Sequence, residues 1–347
     1  MKRRNIEERE NLILKLVIEN YLKLGIPISS KLISKNLKYK ISTATIRNIT
    51  AKLDEMGLLF QPHTSAGRIP TDEGLKFYVD SLLDEIILPS QEKKIISENF
   101  FNPEVNLESL LEKTSRLLSD FSDNLGLVLY PKISKLNFQQ VRFLRLYEER
   151  ILLMLITTSN FIITETIHGK DYFTQDELNR AADYINENFA GKNLLYVQDY
   201  LLRELPHERA LYDQLISKLI TLIKNYFIYE KKTDKIYLEG QANLLTKPEL
   251  FDMEKLKSLF KSFEEKAKLI KLLTNFINFQ GVKVIIGSEM DIPFISGCTL
   301  IISTYSFKDQ TLGSLGILGP KRMPYKKVIS LVDYVAKSLS QTISKVH

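Results

Sequence analysis

Apolar positions in the first 85 residues return at helical intervals. Ile6, Ile13, Val17, Tyr21 and Leu24 lie seven, four, four and three residues apart, the stripe of an amphipathic helix. Gly25 and Pro27 end it in the order of a helix stop. Ser29 or Ser30 can cap a short second helix over 31–36 that turns Leu32 and Ile33 inward. After a turn at 37–41, Ser42 or Thr43 opens a third helix reaching about Met56, with Ile46, Ile49, Leu53 and Met56 as its buried stripe. Residues 58–61 and 68–70 then read as two short strands around a loop at 62–67. Thr71, followed by Asp72 and Glu73, makes a capped start matched to the helix dipole for a fourth helix. Its core face is Leu75, Tyr78, Val79, Leu82 and Leu83.

Three helices followed by a β-hairpin predict a winged helix-turn-helix. Beyond it, 82–103 reads as the end of the fourth helix and a linker punctuated by Pro89 and Pro103. An amphipathic helix is expected over 107–122, then strands at 126–130, 138–147, 151–158 and 161–167. Later strands are expected at 282–287, 297–306 and 312–318, and a closing helix over about 326–342. Strands flanked by helices with a long interruption predict an α+β sheet domain. The interruption, 169–234, reads as all-helical, with a capping box at Thr174 and Glu177. Within it the stretch 206–229 is apolar on more than one face and needs partners on two sides, from its own core or from a second copy. Another long helix is expected over 248–279.

Length and composition fit two or three ordinary globular domains. The charge distribution adds more. Residues 1–76 hold 14 Lys/Arg and 8 Asp/Glu, a balance of +6 that equals the net charge of the whole chain. From Lys31 to Lys52 there are six basic residues (Lys31, Lys35, Lys38, Lys40, Arg47 and Lys52) and no acidic one. A basic patch localised on a folded module suits a polyanion, although charge runs also occur as plain solvated surface. One cysteine, Cys298, excludes an intrachain disulfide and a cysteine zinc cage, and fits a reducing cytoplasm. No secretion signal is read at the start, and the longest purely apolar run, 151–156, is far short of a membrane span, so a soluble protein is expected.

The third helix carries the most specific chemistry. At 100° per residue its outward face presents Ala44, Arg47, Asn48 and Ala51, flanked by Thr43 and Lys52. Alanines permit close approach to DNA and can touch a thymine methyl. Arginine grips guanine O6 and N7 bidentately, and asparagine does the same for adenine N6 and N7. The hydroxyls and N–H groups around Ser42 and Thr43 suit a phosphate. Lys31 and Lys52 add phosphate contacts. Arg68 at the base of the hairpin, with His63 and Thr64 near its tip, could reach a phosphate or the minor groove. The plainer alternative keeps Arg47 and Asn48 as solvated surface, and gives His63 a role in ordering the loop.

Catalytic patterns are missing. The four histidines, His63, His168, His207 and His347, show no metal spacing, and no cofactor or metal site is expected. Cys298 sits in an apolar strand as an inert thiol. The glycines Gly313, Gly316 and Gly319 precede Pro320 rather than a helix, so they read as strand and turn residues and not as a phosphate loop. No pair of acids argues for acid–base catalysis, so an enzyme is not expected.

The motifs STATIRN over 42–48 and QPHTSAGRIPT over 61–71 resemble the heat-inducible transcription repressor family, HrcA. The likeness extends through IYLEG at 236–240 with NLL at 243–245, IIG at 285–287, LGILGP at 315–320 and VISLVDYV at 328–335. The resemblance implies a homodimeric repressor of chaperone operons such as dnaK and groE. It would bind double-stranded DNA at an inverted-repeat operator, the CIRCE element, with the GroE chaperonin as modulator and no membrane involvement. It also implies three domains: a winged helix over 1–88, a GAF-like α+β domain over 89–168 and 235–347, and an inserted helical dimerisation domain over 169–234. The DNA-binding set would be Lys31, Ser42, Thr43, Ala44, Arg47, Asn48, Ala51, Lys52, His63, Thr64 and Arg68. The chain departs from the family pattern where acidic residues usually follow the Arg-Asn pair: Ile49, Thr50, Lys52 and Phe60 stand in that region. Two rival readings stay open, a winged-helix regulator answering to a small molecule in its GAF-like domain, and a winged helix that binds protein.

Overall fold

The computed structural model describes residues 7–37, 41–83, 88–100, 107–131, 136–147, 150–158, 162–168, 173–194, 196–197, 200, 235–247, 266–276, 279–290, 295–308 and 310–346. The helix expected over 206–229 and most of that expected over 248–279 lie outside these residues, as do Lys38, Lys40 and all of the expected 169–234 insert beyond residue 200.

The N-terminal module opens with α1 (Glu8–Leu24), α2 (Ser30–Asn36) and α3 (Thr43–Glu55). Each start has an identifiable cap. Ser29 Oγ accepts the Leu32 N–H at 3.3 Å and Ser42 Oγ accepts the Thr45 N–H at 3.0 Å, which satisfies donors that helix geometry leaves unpaired. α1 stops at Gly25, whose φ of 70° is the left-handed conformation that glycine adopts without strain. Strands β1 (Leu59–Phe60) and β2 (Ile69–Pro70) pair antiparallel, and the backbones of Ile28 and Arg68 exchange two hydrogen bonds of 2.9 Å beside them. Gly67 is required at this seam, because a Cβ there would stand 2.3 Å from the Ile28 carbonyl. Thr71 caps α4 (Asp72–Phe77), which continues as a π-helical turn over Tyr78–Leu82. Ile13, Leu14, Val17, Ile18, Ile33, Ile46, Leu53, Leu75 and Tyr78 fill the core between these elements.

The segment read as a linker contains a helix, α5 (Ser90–Phe100). Its apolar positions are too sparse to stand out, and it depends on packing against the C-terminal helix. Then come α6 (Leu107–Ser122), β3 (Leu125–Leu129), β4 (Phe138–Arg145), β5 (Arg150–Thr157), β6 (Ile162–His168) and α7 (Gln175–Phe189). The chain resumes with β7 (Ile236–Glu239), α8 (Gln241–Leu245), α9 (Lys266–Thr274), β8 (Val282–Ile286), β9 (Cys298–Phe307), β10 (Gln310–Pro320) and α10 (Tyr325–Val346). The molecule is thus mixed α and β with several sheets.

The strands divide differently from expectation. β7, β3, β10, β9 and β8, in that order, form one antiparallel sheet, while β4, β5 and β6 form a separate three-stranded meander. The break between the two sheets falls between β3 and β4, well ahead of residue 168. Burial gives the physical reason. Every residue of β3 is buried, as are residues 312–320 of β10, because α6 and α10 cover one face and α9 helps to cover the other. Along β5, Ile151, Leu153, Leu155 and Thr157 are buried while Leu152, Met154 and Ile156 are half-buried, the alternation of a strand fully covered on one side only.

α7 packs along β4 and closes its free edge. Asn186 accepts the Val141 N–H at 2.7 Å and donates to the Val141 carbonyl at 3.1 Å. Gln175 accepts the Arg145 N–H at 2.9 Å and donates to the Phe143 carbonyl at 2.8 Å. Two side-chain amides thus take the place of a neighbouring strand.

The N-terminal module is docked on the five-stranded sheet. Asp72 pairs with Lys321 at 2.6 Å, Lys76 Nζ donates to the Val284 carbonyl at 2.6 Å, and Glu19 lies 3.7 Å from Lys326.

Candidate nucleic-acid interface

α3 is held with one face in the module core and the other in solvent. Ile46, Thr50 and Leu53 are buried, while Ile49 and Met56 are half-buried. Thr43, Ala44, Arg47 and Asn48 are exposed and Ala51 is half-buried, so the outward stripe expected from the helical period is present. Thr50, which stood outside the expected core stripe, turns its hydroxyl back to the Arg47 carbonyl at 3.0 Å and so tolerates burial. Ser42 lies at the helix start but spends its oxygen on the cap, 2.8 Å from the Thr45 hydroxyl. Lys31 is exposed on α2.

The hairpin loop beside α3 is internally organised. Gln61 Nε2 donates to the carbonyls of Thr64 and Ala66 at 2.9 and 3.0 Å, and the Ala66 N–H reaches the His63 carbonyl at 2.8 Å. These bonds fix the loop backbone and leave the side chains of His63 and Thr64 exposed. Gln61 heads the 61–71 motif, but its loop-fixing role is not legible there, because an amide bonding to backbone has no periodicity to betray it.

Two of the expected DNA contacts are engaged within the module. Lys52 Nζ lies 2.5 Å from Glu10 Oε1 on α1, and Arg68 Nε lies 3.0 Å from Asp54 Oδ2 on α3. The Lys52 ammonium holds the buried Glu10 carboxyl below the usual carboxylate range, and Glu10 in turn raises Lys52. Neither acid was singled out from sequence, since their partners lie 42 and 14 residues away.

Elsewhere the chemistry is quiet. Among the described residues no cluster of His, Cys, Asp and Glu could hold a metal ion, and no helix is long and apolar enough to cross a membrane. Cys298 is buried in β9, and burial pushes its thiol up to about 12, as expected for an inert residue. Gly313, Gly316 and Gly319 lie in β10, where a Cβ at Gly316 would stand 2.4 Å from the Ile301 carbonyl of the next strand.

Comparison with known proteins adds independent information. Residues 108–329 match the family model of the HrcA protein C-terminal domain. The chain is 38% identical over 339 residues to the heat-inducible transcription repressor HrcA of Geobacter sulfurreducens, covering 98% of both chains. It is 35% identical over 342 residues to that of Syntrophobacter fumaroxidans, again covering 98% of each. Among solved structures, a hypothetical protein determined at 2.2 Å superposes with a TM-score of 0.59 over 99% of both chains at 21% identity, a likeness of fold. With more than half its length under the family model and full-length relatives above 30% identity, the chain belongs to the HrcA family of heat-inducible transcription repressors.

Proposed function

We propose that this repressor binds an inverted-repeat duplex of the CIRCE type as a homodimer and so silences chaperone operons such as dnaK and groE in unstressed cells. Residues 1–88 act as the winged helix, β3 and β7–β10 with their helices as the GAF-like domain, and the insert begins ahead of β4. The observation that carries the reading is the exposure of Arg47 and Asn48 side by side on α3, next to a hairpin whose loop backbone is fixed. Arg47 reads guanine and Asn48 adenine in the major groove. Ala44 and Ala51 allow close approach, and Lys31, Thr43, His63 and Thr64 meet the sugar–phosphate backbone or the adjacent minor groove. Family membership supports the choice of operator class and of the GroE chaperonin as modulator.

The test is retardation of an inverted-repeat duplex by the full chain, with a scrambled half-site as control. Arg47→Ala is expected to cost about 1–3 kcal/mol on the intact site and to relax base preference there. Equal affinity of wild type and variant would reject the role of Arg47. For the chaperonin, operator binding is measured after a mild heat step with and without GroE, and absence of rescue would remove that partner.

One observation favours a second reading, control by a small molecule. A cavity of about 830 Å³ opens where Lys23 and Tyr78 of the N-terminal module meet Asn124, Arg322 and Met323 of the sheet domain. A rise in melting temperature with metabolite mixtures would support it.

A further inference from the structure

The module carrying α3 contains a buried acid that its basic composition gave no reason to expect. Glu10 is 4% exposed. One carboxylate oxygen accepts the Glu7 N–H at 3.2 Å and closes the first turn of α1, and the other holds Lys52 at 2.5 Å. A carboxylate taken out of water is costly unless a cation stays with it. For Lys52 to swing onto a DNA phosphate, it would have to abandon Glu10 in the module interior.

The second ion pair completes the pattern. At 100° per residue, Lys52 lies about 40° beyond Asn48 around α3 and Asp54 about 20° before Arg47, so the two charges sit on opposite flanks of the outward face. Lys52 is tied to α1 on one flank and Asp54 to Arg68 at the hairpin base on the other. Attachments on opposite flanks oppose rotation of a helix about its own axis, and a base-reading arginine tolerates little such rotation.

We propose that Lys52 and Arg68 are positioning residues rather than phosphate contacts, and that the Glu10–Lys52 and Asp54–Arg68 pairs set the roll of α3 that aims Arg47 and Asn48 at the base edges. The inference rests on α3 being the reading helix, as proposed above.

The experiment measures affinity of the full chain for an inverted-repeat duplex and for its scrambled control across a potassium chloride series, with wild type, Lys52→Gln, Glu10→Gln, the double variant and Arg47→Ala. A positioning role predicts that Lys52→Gln lowers operator affinity about tenfold, leaves the scrambled duplex nearly unaffected, and keeps the slope of log affinity against log salt. Glu10→Gln should reproduce this loss and the double variant should not deepen it. A phosphate contact predicts the opposite: the Lys52→Gln slope falls by about 0.9, both duplexes weaken together, and Glu10→Gln strengthens binding by releasing the lysine. Unchanged operator affinity in Lys52→Gln overturns the proposal as well. Lys52 is half exposed, so its variant decides the matter even where Glu10→Gln fails to fold. If Arg47→Ala binds like wild type, the reading of α3 has failed instead, an outcome distinct from any of these.

Discussion

The two sheets are built from equally apolar strands but live in different surroundings. β9 and β10 pack against helices, with nearly every residue buried, whereas β5 buries every second residue and leaves the residues between half-covered. The larger sheet also gathers the ionisable groups that burial has silenced. Tyr237, Cys298, Tyr305 and Tyr325 lie in or against it, and burial raises the acid of each, to about 12 for Tyr237 and Cys298. Substitutions inside the large sheet are therefore expected to cost more than changes on the outer face of the small one.

The sharpest way to break this contrast is to hollow each sheet in turn. Ile301→Ala, at a fully buried position of β9, should cost about 2–5 kcal/mol in denaturant unfolding, because both the transfer energy and a residual cavity count against it. A loss below 1 kcal/mol would mean that the large sheet can collapse around a gap. Asn186→Ala should cost about 2 kcal/mol by leaving the Val141 N–H and carbonyl at the β4 edge without their partner. Amide hydrogen exchange at Val141 should accelerate in that variant while β9 keeps its protection. Tyr305→Phe removes the 2.6 Å hydrogen bond to the Leu129 carbonyl and should cost about 1 kcal/mol. The smallest effect belongs to the outer face of β5, where Met154→Thr should stay within about 1 kcal/mol of wild type.

Alkaline pH sharpens the comparison from another direction. The raised acids stay protonated in the folded chain after they would ionise in the unfolded one. Their contribution is fully present below the ordinary thiol and phenol range and is lost as pH rises through it toward 12. Melting temperature should fall steadily between about pH 8.5 and 11. A thiol reagent should label Cys298 at the rate of unfolding of the large sheet, faster in Ile301→Ala and unchanged in Met154→Thr.

Most individual elements were legible because periodicity records how many faces of a segment are covered. The expected strands at 126–130, 151–158 and 297–306 lie within a residue of β3, β5 and β9, and Thr174 and Glu177 form the anticipated capping box at α7. Partner choice was not legible. Alternation in β5 and continuous burial in β3 differ, yet neither names the strand lying beside it, so the separation of β4–β6 from the larger sheet is not written in either pattern. The same limit governs the candidate interface. The exposed stripe of Ala44, Arg47 and Asn48 follows from helix geometry, while the ties of Lys52 to Glu10 and of Arg68 to Asp54 arise from tertiary proximity that no spacing encodes.

The three bonds from Asp72, Lys76 and Glu19 onto the five-stranded sheet and α10 have a consequence for operator architecture. A head held to its body by these contacts resists swivelling toward a target of altered spacing. In the proposed homodimer the distance between the two α3 helices would then be inherited from the bodies, and inserting half a helical turn of DNA between half-sites should abolish two-headed engagement, where a loosely leashed head would merely bind more weakly.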